Sequence, residues 1–141
     1  MARKLRLEFE GAVYHVINRS NYRSALFRDE GAKLAFLTCL DEACEKSCWQ
    51  VHAWFVMTNH YHLALGTPGG NLVAGMQWLQ STFALRFNRY RRECGHFFQG
   101  RYKSLLVDPT DGLGALCHYL HLNPVRAGVT TVDRLADWHG I

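Results

Sequence analysis

Apolar and polar positions along the chain repeat with two periods, and the switches between them mark its elements. Residues 11–19 (GAVYHVINR) alternate and are rich in β-formers, which predicts a first strand. From Asp29 to Cys48 the apolar residues Leu34, Leu37, Leu40 and Cys44 recur at helical spacing, with Asp29 as the N-cap. Residues 49–57 and 60–66 return to β character and are joined by Thr58-Asn59, so they read as neighbouring antiparallel strands. Gly69-Gly70-Asn71 then opens a long helix that Gly95 stops. Its stripe is Leu72, Met76, Leu79, Phe83, Phe87 and Tyr90, with Gln77, Ser81, Arg89 and Arg92 turned away. Residues 97–107 predict a fourth strand with an irregularity at Gly100. A last helix is expected from about Pro109 to Asn123, where Pro124 interrupts it. The order β-α-β-β-α-β plus a helix is the ferredoxin-like arrangement of an α+β fold, an antiparallel sheet with helices on one face. The other face is left for chemistry, which the fold by itself does not specify.

A chain of 141 residues suits a single domain over 1–141, and 48% hydrophobic with 13% aromatic content is that of a folded protein. No apolar run approaches the roughly 20 residues that span a bilayer. The basic N-terminus has no apolar stretch behind it, so neither a membrane anchor nor a signal peptide is expected, and the predicted location is the cytoplasm. Five cysteines without a CxxC pair argue against a disulfide framework and against a cysteine zinc site. Cys44 and Cys48, four apart in a helical pattern, read as small buried thiols. The formal charge of +4 says less than its distribution. Arg86, Arg89, Arg91, Arg92, Arg101 and Lys103 interleave with Phe87, Tyr90, Phe97, Phe98 and Tyr102, opposed only by Glu93. Cations for phosphates beside rings for bases fit single-stranded nucleic acid, and equally a solvated helix face followed by a basic loop.

His60-Tyr61-His62 is the sharpest local feature. On a strand both imidazoles project to one face and Tyr61 to the other. Two imidazoles can ligate a divalent metal but supply only part of its shell, and taken alone the pair is a weak signal. On the last helix Leu113, Leu116, Cys117 and Leu120 make the buried stripe. Tyr119 lies on one flank of that stripe with Asn123 beside it at i+4, and His118 and His121 lie towards the other flank. A phenol with a pKa of about 10 needs help to attack at neutral pH. A metal that polarises the target phosphate supplies such help.

With these motifs in hand, the chain resembles the His-hydrophobic-His single-tyrosine transposases, and among them the REP-associated tyrosine transposases. The resemblance rests on Tyr14-His15-Val16-Ile17-Asn18-Arg19 with Arg23 and Phe27, and on Met57-Thr58-Asn59-His60-Tyr61-His62-Leu63. It continues in Phe98-Gln99-Gly100-Arg101-Tyr102-Lys103-Ser104 and in the run from Tyr119 to Gly128. It implies a Mg²⁺- or Mn²⁺-dependent enzyme that nicks and joins single-stranded DNA, often beside a hairpin in a repeat or element end. By the same resemblance His60 and His62 are metal ligands and Asn123 a third. Tyr119 is the nucleophile, leaving a 5′-phosphotyrosine and a free 3′-hydroxyl. Thr58 stands where such proteins commonly have proline, and Tyr61 fills the hydrophobic position. Arg19, Arg23, Arg86, Arg89, Arg101 and Lys103 are expected to contact DNA phosphates, and Gln99 and Tyr102 bases. Three matters stay open on the sequence. A ferredoxin-like module could bind single strands without chemistry, water could replace the tyrosine as nucleophile, and the chain could act as a monomer or a homodimer.

Overall fold

The computed structural model describes residues 6–20, 27, 30–91 and 101–126, with the backbone alone for 90, 91 and 122–126. The elements are β1 (Ala12–Arg19), α1 (Glu30–Ser47), β2 (Gln50–Val56), β3 (His60–Thr67), α2 (Leu72–Arg91), β4 (Lys103–Leu106) and α3 (Gly112–Arg126). The strands form one antiparallel sheet in the order β2-β3-β1-β4, the ferredoxin-like arrangement expected. Among the described residues no helix is long and apolar enough to cross a membrane.

Strand alternation divides the work between the two sheet faces. Tyr14 and Val16 from β1, Val56 from β2, and Tyr61, Leu63 and Leu65 from β3 point to one face. There they pack against Phe36, Cys39 and Ala43 of α1 and Leu72, Met76, Leu79, Phe83 and Phe87 of α2. A smaller cluster of Ala53, Phe55, Ala64 and Leu120, with Leu113, Leu116 and Cys117 against it, seats α3 on the opposite face. The stripes predicted for α2 and α3 are therefore the observed ones wherever side chains are described.

The predicted stripe of α1 needs correction. Its buried positions are Ala32, Phe36, Cys39, Leu40 and Ala43, and Leu34 is 63% exposed. Phe36 is the anchor, ringed by Phe27, Tyr61 and Phe83, and the small Ala32 and Ala43 let the helix lie close to its neighbours. Cys48 is exposed and Cys44 half-buried, so the expected pair of buried thiols is not found. Instead Cys48 takes the left-handed conformation (φ 55°) that ends α1, and the Trp49 N–H donates to the Cys44 carbonyl at 3.1 Å. Strand β4 covers only four residues of the predicted 97–107, of which 97–100 lie outside the described residues. Pro124 does not end α3, which continues to Arg126. A proline in a last turn removes one hydrogen bond and leaves the preceding turns intact.

At Gly70 and Gly75 the geometry requires glycine. Gly70 has a positive φ of 64° in the turn before α2, and a Cβ there would sit 3.0 Å from the backbone of Phe9 and Glu10. Gly75 lies under the Trp49 ring, and a Cβ would fall 2.0 Å from it. Trp49 is itself pinned: its indole N–H donates to Asn71 Oδ1 at 3.0 Å, and Asn71 Nδ2 donates to the Ser47 carbonyl at 3.0 Å. Gly75→Ala must displace the ring and break that bond. The expected cost is about 3 kcal/mol, read as a lower urea midpoint at unchanged m-value.

Candidate active site

The α3 face of the sheet carries the candidate chemistry. His60 and His62 occupy alternate positions of β3, with Tyr61 between them turned into the core. Opposite them on β1 stand Arg19 against His60 and Ile17 against His62, and on β2 Phe55 stands against His62. Lys103 of β4 pairs with Ile17 and so joins the same face. His60, His62, Ile17, Arg19 and Lys103, together with Asn18 and Arg101, line a cavity of about 490 Å³. Among its described lining residues are three cations, two imidazoles and no carboxylate, a balance that favours a phosphate.

The strands are fixed from behind. Asn18 and Tyr61 point to the other face, where Asn18 Nδ2 and the Tyr61 hydroxyl both donate to Gln80 Oε1 of α2, at 2.8 and 2.9 Å. Asn18 Oδ1 also accepts from the Arg19 N–H at 2.9 Å. Because Tyr61 is fully buried, desolvation raises its hydroxyl pKa far above the ordinary value and so disfavours its ionisation.

The imidazoles sit 5.0 Å apart between centroids, at 73° to one another. Burial is the main cause that pushes His62 down to about 3, with His60, His15 and Arg19 adding to it. Burial and then Arg19 lower His60, and burial lowers His15. All three rings are therefore neutral at pH 7, with lone pairs available. His60 Nδ1 lies 2.7 Å from Asn59 Oδ1, and His62 Nδ1 lies 3.0 Å from His15 Nε2. His60 and His62 thus both engage Nδ1, and among the described residues no hydrogen bond reaches either Nε2, the pattern of ligating histidines. The donor set fits a divalent metal at two positions. Among the described residues no group of three or more His, Cys, Asp or Glu completes such a site. A third donor has to be of another kind.

Tyr119 is carried by α3 on this same face and is 39% exposed, next to the fully buried Leu120. Phe55 links the Leu120 cluster to the pair, its ring 6.0 Å from that of His62. Tyr119 is not among the residues lining the cavity. Asn123 lies one turn further along α3, and its side chain, like Arg23 and Gln99, is outside the described residues.

Other expected contacts do not gather here. Arg86 and Arg89 belong to α2, behind the sheet, where Arg86 forms an ion pair with Glu42 of α1. Tyr102, one position before Lys103, alternates to the core side, half-buried with the Arg6 guanidinium 3.6 Å over its ring. His15 was not singled out by the spacing of the sequence. Its place beside His62 follows from the β1–β3 register; the alternation His15-Ile17-Arg19 assigns it a face of β1 but not that neighbour.

Comparison with known proteins bears on the fold and the family. Among curated protein sequences none matches the chain significantly. A solved REP-associated tyrosine transposase bound to a REP hairpin superposes with a TM-score of 0.81 at 15% identity, covering 99% of this chain and 81% of that one. A candidate transposase from Deinococcus radiodurans R1 superposes at 0.58 and 20% identity, covering 99% of this chain and all of that one. At these identities the likeness concerns the fold. The sequence profile of the IS200-like transposases, however, matches residues 8–123, and the chain belongs to that family.

Proposed function

We propose that the chain is a single catalytic domain that nicks and rejoins single-stranded DNA with Tyr119 and a divalent metal. The observation that carries this reading is the paired use of Nδ1 by His60 and His62, which leaves both Nε2 atoms for one ion beside three cations. Asn123, one turn beyond Tyr119, is assigned as the third donor through its amide oxygen. A bound Mg²⁺ or Mn²⁺ would polarise the scissile phosphate. Arg19, Arg101 and Lys103 hold the phosphate backbone against the sheet. The Tyr119 oxygen, losing its proton to solvent, attacks phosphorus, and the bond to the 3′ oxygen breaks. A 5′-phosphotyrosine forms, and the 3′ oxygen leaves with a proton as a hydroxyl. The ester preserves the bond energy needed for rejoining. Since α3 packs on its own sheet through Leu120, the reading assigns Tyr119 to the histidines of its own chain. A DNA hairpin is the proposed substrate, by analogy with the REP hairpin bound to the similar structure.

Labelled hairpin oligonucleotides incubated with Mg²⁺, Mn²⁺ or EDTA and run on denaturing gels test the proposal. A metal-dependent covalent adduct is expected. The position of Tyr119 outside the cavity lining favours a second reading, attack by water, which yields cleavage without an adduct. The cations give a separate prediction. Arg101→Ala and Lys103→Ala each weaken binding uniformly across sequences and reduce the slope of log K against log salt by about 0.7–1. Arg86→Ala, whose guanidinium faces Glu42, leaves that slope unchanged.

A further inference from the structure

His62 is only 8% exposed, and its Nδ1 lies 3.0 Å from His15 Nε2. The two rings are nearly parallel, 25° apart, with centroids separated by 5.2 Å. One proton sits between these nitrogens, because two neutral imidazoles share a hydrogen bond in only one of two ways. If His15 donates, His62 carries its own proton on Nε2 and has no lone pair there. If His62 donates, its Nε2 is open. The nitrogen left to bind a metal is set by the bond the other one makes.

His60 shows which way the site is built. Its Nδ1 faces Asn59 Oδ1, an amide oxygen that can only accept, so the proton of His60 is on Nδ1 and Nε2 is free. His62 needs the same assignment to act with it. In the described surroundings the group facing its Nδ1 is His15, held by β1 opposite Ala64 and one diagonal step from His62. We infer that His15 is a positioning residue: its Nε2 accepts the Nδ1 proton of His62 and so keeps the His62 Nε2 lone pair open for a divalent metal. The inference rests on the reading of His60 and His62 as ligands. His15 is thereby not a third ligand, since its Nε2 is used by His62, and its own proton sits on Nδ1.

The tautomers are read directly by long-range ¹H–¹⁵N correlation on the full chain labelled with ¹⁵N-histidine, without metal. His62 is expected as the Nδ1–H form. His15→Phe keeps the ring's bulk and removes the acceptor, so His62 shifts to Nε2–H. Binding of Mn²⁺, followed by the EPR signal of the free ion, then weakens about 10–100-fold. His15→Gln returns an acceptor at the reach of Nε2 and restores both the tautomer and most of the affinity. An Nε2–H form of His62 in the unsubstituted protein overturns the inference and needs no variant to fold. So does a His15→Phe protein with unchanged tautomer and unchanged affinity. If the tautomers follow the series but no form of the protein binds Mn²⁺, the assignment of His15 is upheld and the metal reading of the pair falls.

Discussion

Tyr119→Phe is expected to abolish the covalent protein–DNA adduct and to lower strand cleavage by at least about 10³-fold, as removal of a nucleophile does. The substitution deletes one oxygen from a side chain that is 39% exposed, so the packing of Leu113, Leu116, Cys117 and Leu120 under α3 is kept. Hairpin binding, measured in parallel, stays within about twofold, because the proposed phosphate contacts lie elsewhere. Tyr61→Phe behaves in the opposite way. It keeps the adduct and loses the hydroxyl bond to Gln80 in the core, at about 1 kcal/mol of stability. Denaturing gels and urea melts on the two variants separate the roles of the two phenols. An adduct that survives in Tyr119→Phe and disappears in Tyr61→Phe would reverse them.

The second large effect concerns the imidazoles. His60→Ala should reduce metal-stimulated cleavage by at least about 100-fold, since Lewis-acid assistance supplies several kcal/mol of transition-state stabilisation. Its side chain is half-buried at the end of β3, so little stability is lost with it. His62→Ala should match it in cleavage and differ in stability. It opens a hole beside Phe55 and leaves His15 Nε2 without its partner. Cleavage rates with Mn²⁺ and with EDTA, set beside melting curves, check both variants. Cleavage undiminished in His60→Ala and in EDTA would remove the metal from the reaction.

Much of this was legible in the sequence because the periods of strands and helices follow from burial on one side. The two β segments around Thr58-Asn59, the α2 stripe and the turning of Tyr61 away from the histidines all rest on that. What alternation could not reveal was which strands are neighbours. The proximity of His15 and His62 depends on the pairing of β1 with β3, a contact between residues far apart in the chain. The basic run from Arg86 to Lys103 looked like one surface, yet it begins on α2 behind the sheet and ends on β4 in front of it. Arg86 and Lys103 are thereby placed on opposite sides. In α1, leucines outvoted a phenylalanine and alanines that the core uses, since hydrophobicity alone does not weigh how closely a small side chain lets a helix approach.

The side-chain bridge from Gln80 to Asn18 and Tyr61 lies on the α1–α2 side of the sheet, and the histidines with Arg19, Arg101 and Lys103 lie on the other. A lineage of this fold can therefore lose its chemistry without losing its shape. Substitutions at His60 or Tyr119 leave the large core untouched, and Arg19, Arg101 and Lys103 remain in place. On the proposed reading, copies silenced in this way would persist as folded proteins that still hold DNA and compete with active ones, an inherited competitor written into the separation of the two faces.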